Sequence, residues 1–299
     1  MTEHIDRPKF REIRHNGIGS ESTIIPDRYD VVEAKMDGIW GCLIIEKGYY
    51  RIYSRTGKIK AAGEVRKAHP DKWKEIGSGK HILLGEYMHG SAWGHRKDID
   101  KDFFIFDCLM YDDVWIRDKP DYTRSIYGAR LRDYLRDMGL KWVRDVYRYK
   151  IENWQSLWDS KVLRDGYEGL IFKDSSAAYG SKEAWMRMKA VIEIDYICKG
   201  FGDADEKSKY AGMVGSVIGT LWDKECKVKC SGLSEKDRKL YTEVGKLYLG
   251  KVFTAKGNGY YPSGAVRHPK LVKWRDDKTP EECTYDQIPR EIREDGEEV

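Results

Sequence analysis

The sequence predicts an α+β chain in two parts: antiparallel sheets with flanking helices over residues 1–193, then a small five-stranded β-barrel over residues 194–299. Three observations carry this reading. Short apolar and aromatic runs bounded by Gly turns dominate the first two thirds. Only a few stretches there keep a helical period. Beyond Ile194, short strands alternate with Gly turns and a single helix interrupts them, the pattern of a small closed barrel. The 299 residues suffice for two modest domains, since domains usually span about 100–200 residues. Aromatic residues make up 12% of the chain, with 10 Trp and 20 Tyr, which argues against disorder because disordered chains lack the side chains that build a core.

Taken in order, Val31 to Arg55 reads as a meander: a strand ending at Lys35, a turn at Gly38, the strand "CLIIE", a "KG" turn and the strand "YYRIYSR". Residues of one strand face alternate, so Tyr49, Arg51, Tyr53 and Arg55 share a side. A helix is expected over 64–76, interrupted at Pro70, because proline removes a helical donor. "HILLGEYM" and "DFFIFDCLMY" are short β runs. "TRSIYGARLRDYLRDM" places Ile126, Leu131, Tyr134 and Leu135 near helical spacing. "ENWQSLWDSKVLRDG" reads as one further helix ended by Gly166. "EGLIFKD" and "AWMRMKAVIEIDYICKGF" then read as core strands. The barrel strands are "DYICKGFG", "MVGSVIGTLWD", "CKVKCSG", "KVFTAKGNG" and "LVKWRDD", with the helix "SEKDRKLYTEVGKLYL" among them, an arrangement of the oligonucleotide-binding (OB) kind.

Net charge is +4, from 54 Lys and Arg against 50 Asp and Glu. No basic tail advertises a polyanion partner, so any phosphate-binding face must be local. No stretch has the length and apolarity of a signal peptide or a membrane span, and a soluble cytoplasmic protein is expected, with no membrane partner. Cys42, Cys108, Cys198, Cys226, Cys230 and Cys283 form no Cys-x-x-Cys pair, which argues against zinc and for reduced thiols. Cys226 and Cys230 would share one strand face, too far apart for a disulfide. His81, His89 and His95 read as packing or surface residues, and "EIREDGEEV" as a frayed tail.

An ordered set of motifs carries the chemistry. "KMDG" contains Lys35, Asp37 and Gly38; "YSRTGK" contains Ser54 and Arg55; "LLGEYM" contains Glu86; "FFIFDCL" contains Phe106 and Asp107; "EGLIFKD" contains Glu168, Gly169 and Lys173; "WMRMK" contains Arg187 and Lys189; "KWRDDK" contains Arg275, Asp277 and Lys278. In this order they resemble the motifs of the ATP-dependent DNA ligases, within the covalent nucleotidyltransferases that also include RNA ligases and mRNA capping enzymes. The resemblance runs from Lys35 to Lys278 and is nearest to the small ligases of bacteriophages and other viruses. It implies a nucleotidyltransferase (adenylation) domain over 1–193 and an OB-fold domain over 194–299.

The resemblance also implies roles. Lys35 is the nucleophile that becomes linked to AMP, with Asp37, Lys173 and Lys189 in the catalytic group. Glu33, Arg55, Glu86, Phe106, Arg187, Arg275 and Lys278 bind the nucleotide: Glu33 at the adenine amino group, Phe106 by stacking, Glu86 at the ribose, Arg275 and Lys278 at the leaving pyrophosphate. Glu168 is the metal ligand, for Mg2+ or Mn2+. The implied partner is nicked double-stranded DNA, met by a monomer without a separate N-terminal DNA-binding domain. In isolation Lys35 reads as a solvated strand-edge lysine, Glu33 as a surface acid and Phe106 as core. Physical chemistry adds one expectation. An ordinary lysine titrates near about 10.4, so Lys35 needs neighbouring cations and desolvation to be uncharged at neutral pH, and Lys173, Arg187 and Lys189 are placed to supply them. They would also offset charge on the α-phosphate.

The pattern departs from the family at two places. Trp40 stands where the extended motif carries an arginine that contacts the nick, leaving Arg55 as the nearest candidate for 5′-phosphate sensing. Arg187 stands where Lys is common, which keeps charge but changes geometry. A capping-type guanylyltransferase shares the lysine, the barrel and the terminal motif. An RNA ligase generally lacks this barrel with its terminal motif. A non-catalytic OB-fold nucleic-acid-binding protein would not need Lys35.

Overall fold

The computed structural model describes residues 18–21, 25, 27–65, 79–88, 100–165, 167–260 and 265–288. The helix expected over 64–76 lies almost wholly outside these residues, as do Gly166, His89, His95 and the C-terminal "EIREDGEEV". The chain divides into two compact units, Met1–Lys189 and Ala190–Val299.

In the first unit the strands are β1 (Ile18–Glu21), β2 (Val31–Lys35), β3 (Ile39–Glu46), β4 (Tyr49–Ser54), β5 (Ile59–Glu64), β6 (His81–Tyr87), β7 (Phe103–Tyr111), β8 (Val114–Trp115), β9 (Val143–Asp145), β10 (Arg148–Lys150), β11 (Gly169–Lys173) and β12 (Trp185–Lys189). They form two sheets, one in the order β1-β12-β11-β2-β10 and one in the order β5-β4-β3-β6-β7-β8, with β9 alongside β7. All pairings are antiparallel except β1 with β12 and β7 with β9. The expected meander is present: Lys47 and Gly48 both take positive φ in the turn between β3 and β4, the conformation that a two-residue hairpin demands.

The larger sheet is covered on both faces. Leu43, Ile45 and Leu83 pack with helix α1 (Asp121–Asp137), while the alternating Cys42, Ile44 and Leu84 form a separate cluster with Tyr53 and Leu109. Alternation at period two is what assigns these residues to opposite faces. Helix α1 turns Arg124, Gly128, Leu131 and Leu135 inward. Ile126, expected on the buried face, is 51% exposed. The helix is set by Gly128, which sits close to Ile105 and Cys108, and by a buried arginine that the apolar pattern could not reveal. The expected helix after α1 is a composite: a 3-10 turn (Ile151–Asn153), one α turn, α2 (Trp154–Leu157), and a wide π turn (Trp158–Arg164). Ser160 Oγ donates to the Ser156 carbonyl at 2.7 Å and Asp165 N to the Ser160 carbonyl. Such back-bonding competes with regular helical bonds.

The second unit contains β13 (Ile192–Asp203), β14 (Val214–Thr220), β15 (Val228–Cys230), β16 (Val252–Gly257) and β17 (Lys270–Arg275), in the order β15-β14-β13-β16-β17. A parallel bridge between Ser231 and Lys270 joins the two edge strands. The sheet therefore curls onto itself as a five-stranded OB barrel, with helix α3 (Glu235–Val244) between its third and fourth strands. Ser234 caps α3, its side chain accepting from Asp237 N while Asp237 returns the bond to Ser234 N, the reciprocal capping box that satisfies two orphan donors. Cys226 precedes β15 rather than sharing its face with Cys230, and both thiols are buried in the barrel core. All six cysteines are free. The fold is the α+β arrangement of antiparallel sheets followed by an OB barrel.

Candidate active site

Three neighbouring strands of the first sheet set the site. Gly169 of β11 pairs with Lys35 on one side and Lys189 on the other, Ile171 with Glu33 and Arg187, and Lys173 with Val31 and Trp185. Side chains two apart share a face, so Glu33, Lys35, Lys173, Trp185, Arg187 and Lys189 project together. All but Lys189 line a cavity of about 1050 Å³ with Asp37, Gly38, Arg55, Glu86, Phe106 and Glu168. Gly169 has no room for a side chain: a Cβ would lie 2.0 Å from the Met188 carbonyl oxygen. Gly38 is equally constrained, since a Cβ there would meet the Tyr87 oxygen at 2.7 Å and the Met88 sulfur at 2.8 Å. Its N–H donates to Glu86 Oε1 at 3.0 Å. The glycines of the two motifs thus let backbone and carboxylate approach the lysine closely.

At the centre, Glu168 bridges two ammonium groups. Lys35 Nζ donates to Oε2, and Lys189 Nζ lies 2.7 Å from Oε1. Burial pushes the Glu168 carboxyl up, but Lys35 and Lys189 outweigh it and hold the group below its ordinary range. This corrects the expectation that cations alone crowd Lys35: its direct partner is a carboxylate, and Lys189 sits on the far oxygen. Lys173 is not turned to Lys35 either. It is fully buried, 2.8 Å from Glu33 Oε2 and donating at 2.8 Å to the Phe106 carbonyl, with its ammonium 4.1 Å from the centre of the Trp185 ring. Glu86 is held differently. Burial pushes its carboxyl up to about 7, Lys35 and Gly38 N–H pull it down, and Glu168 adds to the rise.

Sequence reasoning missed a buried ionic network beside the cavity. Glu33 is only 2% exposed, and Arg148 Nη1 donates to its Oε1 at 2.9 Å. Arg148 also pairs with Asp121, and Asp121 with Arg124. Arg124 is fully buried and holds both oxygens of Asp107, at 2.7 and 3.0 Å. The three acids Glu33, Asp107 and Asp121 thus balance the three cations Lys173, Arg124 and Arg148, the compensation that buried charges require. The network joins β2, β10 and β11 of one sheet to β7 of the other through α1. Asp107 was visible only as half of a Phe-Asp motif, and no local signal marks Arg148. Trp185 could have been found, since it shares the alternation of Arg187 and Lys189 in "WMRMK".

Phe106 stands partly buried in the cavity, its ring 5.8 Å from that of Trp185 at 89°. His81 is fully buried and accepts from Asp112 N, and burial lowers its titration to about 4. It is a packing residue. Arg275 and Lys278 belong to the second unit. There Lys278 Nζ donates to Asp195 at 2.6 Å, Arg275 Nη1 to the same carboxylate at 3.2 Å, and the Arg275 fork grips Asp277 at 2.7 and 2.7 Å. Among the described residues no group of three or more His, Cys, Asp or Glu is gathered as a ready metal cage. Glu168 is the carboxylate in contact with Lys35, and Glu86 is close enough to feel its charge. A single carboxylate such as Glu168, completed by phosphate oxygens, suits Mg2+, which favours one or two carboxylates plus substrate phosphates. Among the described residues no helix is long and apolar enough to cross a membrane.

The sheet-built cavity with its strand-borne lysine lies on a chain that continues into an OB barrel, a fold similar to that of DNA ligases. No family model matches the chain. A DNA ligase of Methanopyrus kandleri is 26% identical over 233 residues, covering 67% of this chain and 40% of that protein. The chain therefore spans well under half the length of this curated relative. A solved structure described as Pmar-Lig_PreS3 has a TM-score of 0.61 at 20% identity, over 82% of this chain and 63% of that one. A structure from an analysis of Lig E DNA ligases has a TM-score of 0.60 at 17% identity, covering 87% of this chain and 99% of that one. The fold is that of the DNA ligases.

Proposed function

We propose that the chain is an ATP-dependent DNA ligase that seals nicks in duplex DNA, its adenylation domain over 1–193 and its OB-fold domain over 194–299. The observation that carries this reading is the register that sets Lys35, Gly169 and Lys189 side by side, with Glu168 of the cavity wall spanning the two ammonium groups. Nucleotide phosphates entering there would compete for the lysines that Glu168 now holds. The Lys35 amine would attack the α-phosphorus of ATP, forming the N–P bond as the bond to pyrophosphate breaks. Glu168, in contact with Nζ, is the acceptor within reach of the departing proton. Lys189 and Arg187 then face charge that develops on the phosphorus oxygens, the effect of preorganised cations in a site shielded from water.

Phe106 and Trp185 offer ring surfaces for adenine. Glu33 offers a carboxylate acceptor for its amino group, held in place by Arg148 and Lys173. A bound Mg2+, held by Glu168 with phosphate oxygens, would neutralise charge on the transferring phosphoryl group. AMP would next pass from Lys35 to the 5′-phosphate of a nick, and the 3′-hydroxyl would displace it to form the phosphodiester. Arg275 and Lys278 would orient the leaving pyrophosphate in the first step. Binding to DNA would be phosphate-directed and salt-sensitive.

The test is incubation with α-labelled ATP and Mg2+, followed by mass spectrometry of the protein and a chase with nicked duplex. An acid-labile AMP adduct on Lys35 that is consumed as nicks are joined is expected, and Lys35→Ala removes both signals. An adduct elsewhere, or joining without any adduct, overturns the reading. Label from GTP in place of ATP would point to a capping-type guanylyltransferase. DNA binding fully retained by Lys35→Ala, with no adduct in the wild type, would point to a non-catalytic OB-fold protein.

A further inference from the structure

The lysines around Glu168 and Glu33 are already committed: Lys35 and Lys189 to Glu168, and Lys173 to Glu33. A second anion, brought to the same cavity after the nucleotide, needs positive charge from elsewhere. It is present on one hairpin. Arg55, Lys58 and Lys60 line the cavity, all three are exposed, and among the described residues none forms a side-chain ion pair.

The hairpin is held in shape by Ser54. Ser54 N donates to the Lys58 carbonyl at 2.8 Å, Gly57 N to the Ser54 carbonyl at 2.8 Å, and Lys58 N to Ser54 Oγ at 3.2 Å. Gly57 takes φ of 78° at the turn, a conformation that glycine adopts without cost. Lys58 precedes β5 and Lys60 sits where the pairing with β4 slips, Tyr53 standing opposite Ile59 and Ile52 opposite Ala61, and both lysines line the cavity. Beside them, Gly41 pairs with Ser54, so Trp40 stands one step along the register, next to Arg55. Trp40 brings a ring to the cavity wall and no charge.

We propose that Lys58 and Lys60, with Arg55, form the seat for the terminal 5′-phosphate of the nick, and that these two lysines make the enzyme select a phosphorylated end. This rests on the ligase reading. A terminal phosphate carries more charge than a backbone phosphodiester, because its second ionisation falls near pH 6. Three cations that form no side-chain ion pair among the described residues match that extra charge, and charge-assisted hydrogen bonds to phosphate are the strong kind. Trp40 would pack against the sugar or base of the same nucleotide.

The experiment uses adenylated protein, purified after reaction with ATP and quantified by its bound AMP. Its affinity for two otherwise identical nicked duplexes is measured, one ending in 5′-phosphate and the other in 5′-hydroxyl. Single-turnover transfer of AMP to the phosphorylated nick is measured alongside. Lys58→Ala/Lys60→Ala should reduce the preference for the phosphorylated nick by about tenfold per lysine and slow transfer per adenylated molecule. Lys58→Arg/Lys60→Arg should restore most of both, which guards against a fold defect. A phosphate preference within about twofold of the wild type in the alanine variant overturns the proposal. So does an equal loss on both duplexes, which would make these lysines general backbone contacts. Failure of the wild type to carry AMP at all would instead sink the ligase reading.

Discussion

Several single residues owe their identity to close approach rather than to charge. At Gly38, a side chain would collide with the Tyr87 carbonyl and the Met88 sulfur. Gly38→Ala should therefore push Gly38 N–H off Glu86 and destabilise the fold by about 1–3 kcal/mol, the range for overpacking. A denaturant titration checks the stability, and AMP loading checks the site. Glu86 itself makes a pH prediction. Its carboxyl titrates at about 7 in the folded protein, so it is protonated below that pH and ionised above it. Only the ionised form has both oxygens free to accept from Gly38 N–H and a ribose hydroxyl. The rate of AMP loading should accordingly rise with an acid limb near pH 7, and Glu86→Gln should flatten that limb. A limb unchanged in the variant would assign the titration to another group.

At the level of elements, the two sheets of the first unit and helix α1 are joined by buried charge. Arg124 on α1 has no exposure and grips Asp107 on β7 with two hydrogen bonds. Arg124→Met should cost about 3–5 kcal/mol, because it strands the Asp107 carboxylate away from water. The joint variant Arg124→Met/Asp107→Leu should recover much of that loss. Urea unfolding of the single and double variants supplies the comparison. On the strand that carries Glu86, His81 is buried and titrates at about 4, below the roughly 6.5 of an unfolded histidine. Between those values the unfolded chain binds the extra proton, so stability falls as pH drops through this window. The loss approaches roughly 3 kcal/mol below pH 4. Thermal melts across pH 4 to 7 should show it, and a hydrophobic replacement such as His81→Phe should remove it.

For the whole molecule, the ligase reading asks residues of both units to act in one reaction sequence. In the second unit Asp195 holds Arg275 and Lys278, the two cations expected to meet pyrophosphate. On the ligase reading their part ends once AMP is on the protein. Asp195→Asn should therefore slow AMP loading from ATP by about tenfold or more, a loss of the size that follows from misplaced charged hydrogen bonds. Joining of a nick that already carries 5′-AMP should stay within about threefold. Equal loss in both assays would make Asp195 a general support of the barrel.

The sequence by itself determined the meander from β2 to β4, the barrel strands that follow it, and most of the motif positions that line the cavity. Those features are written locally: period two places Glu33 with Lys35 and Arg187 with Lys189, and glycine marks the turns and close approaches. The tertiary structure decided the partners. That Lys35 meets Glu168, that Lys173 turns to Glu33 and the Phe106 carbonyl, and that Arg124 is buried while Ile126 is exposed all depend on contacts across about 17 to 140 positions or on which helix face meets the sheet. Charge pairing inside a fold acts through space over a few ångströms, and distance along the chain carries no record of it.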